Sequence, residues 1–381
     1  MQIPDPALRT RAAEWTPQPT LPGRDYYDPA VYEAERRSIF HGVWSCIGRE
    51  ERLAEPGDFI TEDLAGESII VTRTEAGELR GYFNVCRHRG TRLADGCGHV
   101  RKVFRCPYHA WSYDLEGRLV GTPNVHEDEG FDRSNYPLWG VRVETWAGFV
   151  FVNLAADPPP LREWLASDPD DPLWFDKYRV EDLRVGRSIT YEVAANWKIL
   201  IENFNECLHC PTVHPELVQL VPIFRKGEVE ERDGWWGNSL DEGIDSFTTT
   251  GASGLPTLPG IDATDVHTYY GFQLFPNLLL NFMPDSVMYY LLLPRGPEHT
   301  TIVSDYLFAP ETIASVDGFA EKAEEIVRFW DVVSRQDWTV CEREQTGVRS
   351  MSYARGGVYP FQDRLLKAFN DRYQRIRGPV E

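Results

Sequence analysis

No stretch of the 381 residues is long and apolar enough to cross a bilayer. The longest apolar runs, around residues 278–283 and 289–293, are strand-sized, whereas a span needs about 20 residues. The opening Met1-Gln2-Ile3-Pro4-Asp5-Pro6 has no basic stretch leading into an apolar one, so no signal peptide is expected, and the cytoplasm is the expected compartment. Positive charge is scarce: 39 Lys and Arg face 59 Asp and Glu, a net charge of -20. That balance argues against a nucleic-acid partner and suits a cationic substrate, a basic docking protein or simply a well-solvated surface. The seven cysteines are odd in number and lack the regular spacing of a disulfide scaffold, which fits a reducing compartment and metal or thiol roles. Internal repeats and low-complexity tracts are absent.

What is present is the make-up of a globular chain, 42% apolar and 13% aromatic with twelve Trp, long enough for two domains. The run Ala155-Ala156-Asp157-Pro158-Pro159-Pro160 can be neither helix nor central strand, and it marks the expected boundary. Upstream, short apolar runs at 59–61, 68–73, 79–85, 103–106 and 149–153, punctuated by Glu75-Ala76-Gly77-Glu78 and Leu115-Glu116-Gly117-Arg118, predict an all-β module. Downstream, strands at 188–193, 269–274, 278–283, 287–293 and 300–308 alternate with two strong helices, which predicts α+β with an antiparallel sheet. The expected division is a helical segment 1–40 packing on the second domain, a β domain 41–157 and a larger domain 158–381. Residues 245–260, rich in Thr, Ser, Gly and Pro, read as a long mobile loop of the kind that often serves as a lid.

Two chemical constellations stand out. The first is Cys86-Arg87-His88 followed, 17 residues on, by Cys106-Pro107-Tyr108-His109. Four such ligands could hold zinc, but the usual finger presents both cysteines before both histidines. The alternating order suits a cluster with two Cys on one iron and two His on the other. Here the sequence resembles the Rieske family, with Gly90 and Pro107 in the expected loop positions and Ala110 where many relatives have Gly. Cys97 and His99, between the halves, read as a loop thiol and a surface His.

The second lies in residues 196–215. Asn196 is a good N-cap, and Trp197, Ile201, Phe204 and Leu208 trace an amphipathic helix, with Glu202, Glu206 and His209 on a second stripe. Pro211 should end this helix near Cys210. Two histidines five apart on an unbroken helix would point about 140° apart, so the break is what lets His214 turn back toward His209. A 2-His-1-carboxylate triad of non-haem Fe(II) then needs an acid. A helix over about 317–346 with Ile326, Trp330, Val333, Val340 and Cys341 as its buried stripe places Asp337 within that stripe, where an isolated acid is costly unless paired or metal-bound.

The run Glu202-Asn203-Phe204-Asn205-Glu206-Cys207-Leu208-His209-Cys210, ending at His214-Pro215, resembles the mononuclear-iron signature of Rieske oxygenase α subunits. The resemblance covers nearly the whole chain. It implies a Rieske domain ahead of a helix-grip, START-like catalytic domain, a [2Fe-2S] cluster on Cys86, His88, Cys106 and His109, and iron on His209, His214 and Asp337. It also implies roles for Asn203 and Glu206, the latter carrying an electron from His109 of an adjacent chain. Glu206, where the ring-dihydroxylating branch commonly has Asp, points to the choline, glycine betaine and carnitine branch. Electrons would come from NAD(P)H through a flavin/iron-sulfur reductase, with O2 as co-substrate and a homotrimer as the expected assembly. A quaternary ammonium substrate calls for aromatic faces, and the candidates are Trp235, Tyr269, Phe272, Phe282 and Tyr289, with Trp236, Tyr270 and Tyr290 beside them. An aromatic-ring hydroxylase, or a Rieske electron carrier without a second site, are the alternatives. His41, His126, His267 and His299 carry no assigned role, and Cys46, Cys207, Cys210 and Cys341 read as small buried residues.

Overall fold

The computed structural model describes residues 14–125, 130–167, 172–232 and 235–380, leaving aside the side chains of 231, 232, 235 and 236. His126 and the Trp235 and Trp236 side chains therefore lie outside the described residues. Among those described, no helix is long and apolar enough to cross a membrane. The chain forms two compact units: Arg36–Asp182 with Phe275–Asn277, and the remainder.

The first unit is built of short antiparallel strands. Its seven-stranded sheet runs in the order β1-β10-β9-β4-β3-β2-β5, with β1 Ser45–Arg49, β2 Asp58–Leu64, β3 Glu67–Arg73, β4 Leu79–Phe83, β5 Cys97–His99, β9 Gly140–Trp146 and β10 Phe149–Asn153. A three-stranded sheet holds β6 Val103–Arg105, β7 Ser112–Asp114 and β8 Leu119–Gly121. Two-residue turns close two of the hairpins. Ala65-Gly66 and Ala147-Gly148 all have positive φ, the twist that matches paired strands. The turns at Gly77 and Gly117 lie where sequence places them. At Gly117 a side chain would be impossible twice over, since φ is +79° and a Cβ would meet Tyr82 at 2.4 Å. Strands β1 and β9 are not foreseen from sequence, because Gly48 interrupts one run and charged residues thin out the other. Cys97 and His99 lie in strand β5 and not in a loop, and His99 Nδ1 lies 3.0 Å from Asp58 Oδ1. The Pro-rich run leads into the helix Leu161–Ala166, which stays with this unit: the Pro159 carbonyl accepts from Trp44 Nε1 and Leu161 N–H donates to Glu144.

The second unit carries a curled seven-stranded antiparallel sheet in the order β11-β17-β16-β15-β14-β13-β12. Its strands are β11 Arg184–Val193, β12 Glu231–Arg232, β13 Trp235–Ser239, β14 Thr268–Leu274, β15 Leu278–Phe282, β16 Val287–Gly296 and β17 His299–Phe308. The helix Phe319–Gly347 lies on one face, with Trp330 against Tyr269 and Trp338 against Tyr191 and Tyr290, at ring separations of 5.8, 6.0 and 5.5 Å. Val340 is only partly buried, so the buried stripe runs through Trp338 and Cys341 instead. A buried ion pair, Lys198 Nζ to Glu35 Oε1 at 2.5 Å, is completed by Trp197 Nε1 and the Tyr373 hydroxyl, so the acid has no unmatched oxygen. The loop 245–260 has no regular structure but is tied down. Asp245 and Ser246 donate to the Gly251 carbonyl, Ser253 bonds Asp285, and Phe247 is fully buried against Tyr269 and Trp330.

Candidate active site

In the first unit, two loops of the same geometry carry the Cys/His pairs. Gly90 N–H donates to the Cys86 carbonyl and Cys86 N–H to Thr91, while Ala110 N–H donates to Cys106 and Cys106 N–H to Trp111, at matching distances of 3.0 and 2.8 Å. Each loop needs a left-handed residue four places after its cysteine, Gly90 at φ +75° and Ala110 at φ +58°. Ala110 is thus a local strain point, since a Cβ in this region costs about 1 kcal/mol relative to Gly. Ala110→Gly is expected to stabilise the holoprotein by about 0.5–1 kcal/mol, partly offset by a looser unfolded chain. In a thermal melt this appears as a midpoint about 2 °C higher, and a lower midpoint would refute it.

The four side chains sort by element. Cys86 and Cys106 are buried in an apolar core with Phe104, Trp111 and Tyr113. Burial pushes the Cys86 thiol up, and the Tyr113 hydroxyl lies 3.4 Å from its sulfur. His88 is exposed and His109 half-buried, their ring centres 4.6 Å apart, with Trp111 stacked on His88. The donors of one tetrahedral zinc ion would all lie within about 4 Å of one another. The two sulfurs lie in the buried core, whereas the two imidazoles lie together nearer the surface. A sulfur pair set apart from an imidazole pair is what two irons require.

In the second unit the helix Trp197–Phe204 starts as expected, with Asn196 Oδ1 accepting from Lys198 N–H, but it stops at Phe204 and not near Cys210. Asn205 leaves helical geometry there, and a separate turn, Cys210–Val213, begins with His209 as its cap and Pro211 in its first turn, where the missing N–H costs nothing. The expected shared stripe of Glu202, Glu206 and His209 therefore does not exist. Glu202 is buried against the hydroxyls of Tyr26 and Tyr359, away from Glu206, and burial raises its pKa. Leu208, expected in the apolar stripe, is exposed. Cys207 and Cys210 are buried, as expected, but are also joined to each other as a disulfide.

The break does turn the two histidines together. His209 Nε2 lies 3.1 Å from His214 Nε2, and Asp337 Oδ1 lies 2.8 Å from His214 Nε2 and 3.3 Å from His209 Nε2. Donors about 2.1 Å from one ion and at right angles lie about 3.0 Å apart, so this triangle fits one octahedral face of a first-row metal. Each imidazole is oriented from behind. Glu206 Oε1 is 2.5 Å from His209 Nδ1, and Gln336 Oε1 is 2.8 Å from His214 Nδ1, so acceptors hold the protons there and Nε2 faces inward. Burial alone would lower the pKa of His209, but its bonds to Asp337 and Glu206 outweigh it and raise the value to about 10. Asp337 is pushed up by burial and more than compensated by the two histidines, ending below the usual carboxylate range. The same negative field that holds a proton on His209 favours a metal dication between the three donors.

A cavity opens on this triad. It is lined by Asn203, Phe204, Glu206 and Cys207 on one side, Phe224, Tyr269, Leu279, Asn281 and Tyr290 on another, and Trp330, Val333 and Trp338 along the long helix. The sheet register explains which aromatics are included. Gly271 pairs with Asn281 and Gln273 with Leu279, which in turn pairs with Tyr290, so these residues and Tyr269 share the face toward the helix. Phe272 pairs with Leu280 and Leu280 with Tyr289, while Tyr270 pairs with Phe282. Phe272, Phe282, Tyr289 and Tyr270 are therefore buried on the opposite face, and of the pocket candidates among the described residues only Tyr269 and Tyr290 reach the site. Trp338, Phe224, Asn281 and Gln336 are not picked out from sequence, although Gln336 and Trp338 flank Asp337, and Trp330 is legible there only as a member of the buried stripe.

A family model for the ring hydroxylating alpha subunit catalytic domain matches residues 180–378, and one for the Rieske [2Fe-2S] domain matches residues 43–146. The chain belongs to the Rieske-type ring-hydroxylating oxygenase α-subunit family. It is therefore an oxidoreductase with a [2Fe-2S] cluster and a non-haem iron, which sets aside a simple Rieske electron carrier. Among its relatives, the glycine betaine monooxygenase oxygenase subunit of Chromohalobacter salexigens is 30% identical over 370 residues, covering 88% of this chain and 81% of that one. The carnitine monooxygenase oxygenase subunit of Escherichia coli (strain K12) is 31% identical over 336 residues, covering 88% and 85%. A solved quaternary ammonium Rieske monooxygenase, a structure bearing on carnitine oxidation and inter-subunit electron transfer, superposes with a TM-score of 0.77 at 25% identity over 95% of this chain and 97% of its own. Naphthalene 1,2-dioxygenase from Rhodococcus sp. shares the fold, with a TM-score of 0.77 at 21% identity, covering 97% and 96%. Family members use O2, a substrate and a reductase partner.

Proposed function

We propose that this oxygenase hydroxylates a quaternary ammonium compound, giving N-demethylation or hydroxylation at a neighbouring carbon. The observation that carries the reading is the aromatic wall of Tyr269, Tyr290, Trp330 and Phe224 around the triad, with no Lys or Arg among the described lining residues. Ring faces attract a cation that has no N–H to donate. The relatives named for glycine betaine and carnitine support the same class.

In this reading His209, His214 and Asp337 hold iron, and Cys86, His88, Cys106 and His109 hold the cluster. Iron bound to a facial triad supplies O2 activation, with electrons delivered by the cluster. The chain's own part is positional. Glu206 and Gln336 lock the imidazoles, the apolar wall keeps water from the reacting methyl group, and Asn203 lines the cavity. Glu206 bridges to His109 of an adjacent chain in a homotrimer. The reductase is a flavin/iron-sulfur protein drawing on NAD(P)H, and the compartment is cytoplasmic.

The test is reductase-driven O2 uptake by the iron-loaded enzyme with choline, glycine betaine, carnitine, proline betaine and a set of aromatic acids. Coupled uptake with a methylammonium compound, with formaldehyde or aldehyde released, is expected. Coupling with aromatic acids alone would overturn the substrate class.

A further inference from the structure

Asn281 stands in the middle of β15 with 1% of its surface exposed, on the cavity side of the sheet. Its Oδ1 accepts from the Tyr269 hydroxyl at 2.5 Å. With its oxygen on that hydroxyl, the amide turns its NH2 elsewhere. That Nδ2 is buried and has no acceptor among the described residues. Trp338, next to Asp337 on the long helix, is in the same state: it lines the cavity, and its Nε1 is buried without an acceptor. Buried donors are almost always satisfied, and of the orphaned buried atoms these two are the ones that line this cavity, where a ligand's acceptor can meet them.

The charge of that acceptor follows from the rest of the wall. Among the described residues lining the cavity there is no Lys or Arg, and the charged groups other than the two histidines are the acids Glu206 and Asp337. A carboxylate brought here would lose its water and find no Lys or Arg to pair with, only neutral donors, since Glu206 and Asp337 already balance a metal dication. A hydroxyl or carbonyl oxygen would lose little and satisfy an orphaned N–H. Resting on the quaternary ammonium reading above, we infer that the substrate is a methylammonium compound with an uncharged hydroxyl or carbonyl tail held by Asn281, and not a carboxylate-bearing betaine. Asn281 is then a specificity-determining residue.

The experiment measures equilibrium binding to the anaerobic holoenzyme, with coupled turnover beside it, for four probes: choline, glycine betaine, ethyltrimethylammonium and 3,3-dimethylbutanol. They present respectively a cation with a hydroxyl, a cation with a carboxylate, a cation alone and a hydroxyl alone. Choline is expected to bind at least about tenfold more tightly than glycine betaine or ethyltrimethylammonium. Asn281→Leu is expected to remove the margin over ethyltrimethylammonium while leaving the binding of that bare cation within about threefold. Glycine betaine binding as well as choline, or choline and ethyltrimethylammonium binding alike to the native enzyme, would overturn the inference while leaving the methylammonium reading in place. If 3,3-dimethylbutanol binds as tightly as choline, the cation is not recognised and the reading beneath the inference fails. The native-enzyme comparison decides the matter even if Asn281→Leu does not fold.

Discussion

Replacing Asp337 with Ala is expected to leave a protein with about two iron atoms per chain where the native one holds about three, and to abolish product formation. Asp337 supplies the single carboxylate oxygen facing both imidazole nitrogens, 2.8 Å from His214 and 3.3 Å from His209. Without it two neutral donors remain, and the charge that draws a dication between them is halved, since only Glu206 is left. Loss of turnover by at least about a hundredfold is expected, because even residues behind the ligands typically cost 10–100-fold. The cluster, held by residues of the other unit, should keep its spectrum, which separates a lost ligand from a misfolded chain. Asp337→Asn keeps the shape without the charge and should retain some iron at saturating Fe(II). A variant that binds the third iron and turns over normally would mean that the carboxylate ligand is another residue.

Glu206→Gln probes a residue with two tasks. Its Oε1 faces His209 Nδ1 at 2.5 Å, and its Oε2 accepts the N–H groups of Leu208 and His209. An amide has one acceptor oxygen, so the variant must give up either the imidazole or the backbone bonds. If orientation is its only task, iron affinity falls about 10–100-fold and added Fe(II) restores turnover. If Glu206 also bridges to a neighbouring chain's cluster, as proposed, turnover remains down by more than about a hundredfold with the iron site full and the cluster reducible. We expect the second result. Pre-steady-state oxidation of the reduced cluster reads it directly, since the bridge predicts slow cluster oxidation in an iron-replete variant.

Much of the site is legible in sequence because the donors identify themselves. Cys-x-His and Cys-x2-His name four atoms of the right softness, and His209 and His214 name two more. The helix break near them follows from Pro211, but its position does not. Sequence periodicity continues through Leu208, whereas the chain leaves the helix at Phe204, and Glu202 is anchored to Tyr26 and Tyr359, partners 176 and 157 residues away that no local pattern names. The pocket wall was read less well for a related reason. Tyr289 and Tyr290 are equally aromatic and equally buried, and only the pairing of β15 with β16 decides which of them faces Asp337.

Sequence by itself determined the inventory: two sets of metal donors, an all-β module followed by an antiparallel sheet with helices, and turns where glycine is needed. These depend on residue type and on spacing over a few positions, which local sterics and alternation carry. Only the tertiary structure decided what converges. Asp337 meets His214 across 123 residues because the long helix packs on one particular face of the sheet, and that same packing selects Tyr269, Tyr290 and Asn281 and turns Phe272, Phe282 and Tyr289 away. A period of two assigns residues to two faces but cannot say which face the helix will cover, since that depends on the burial of all strands and both helices together.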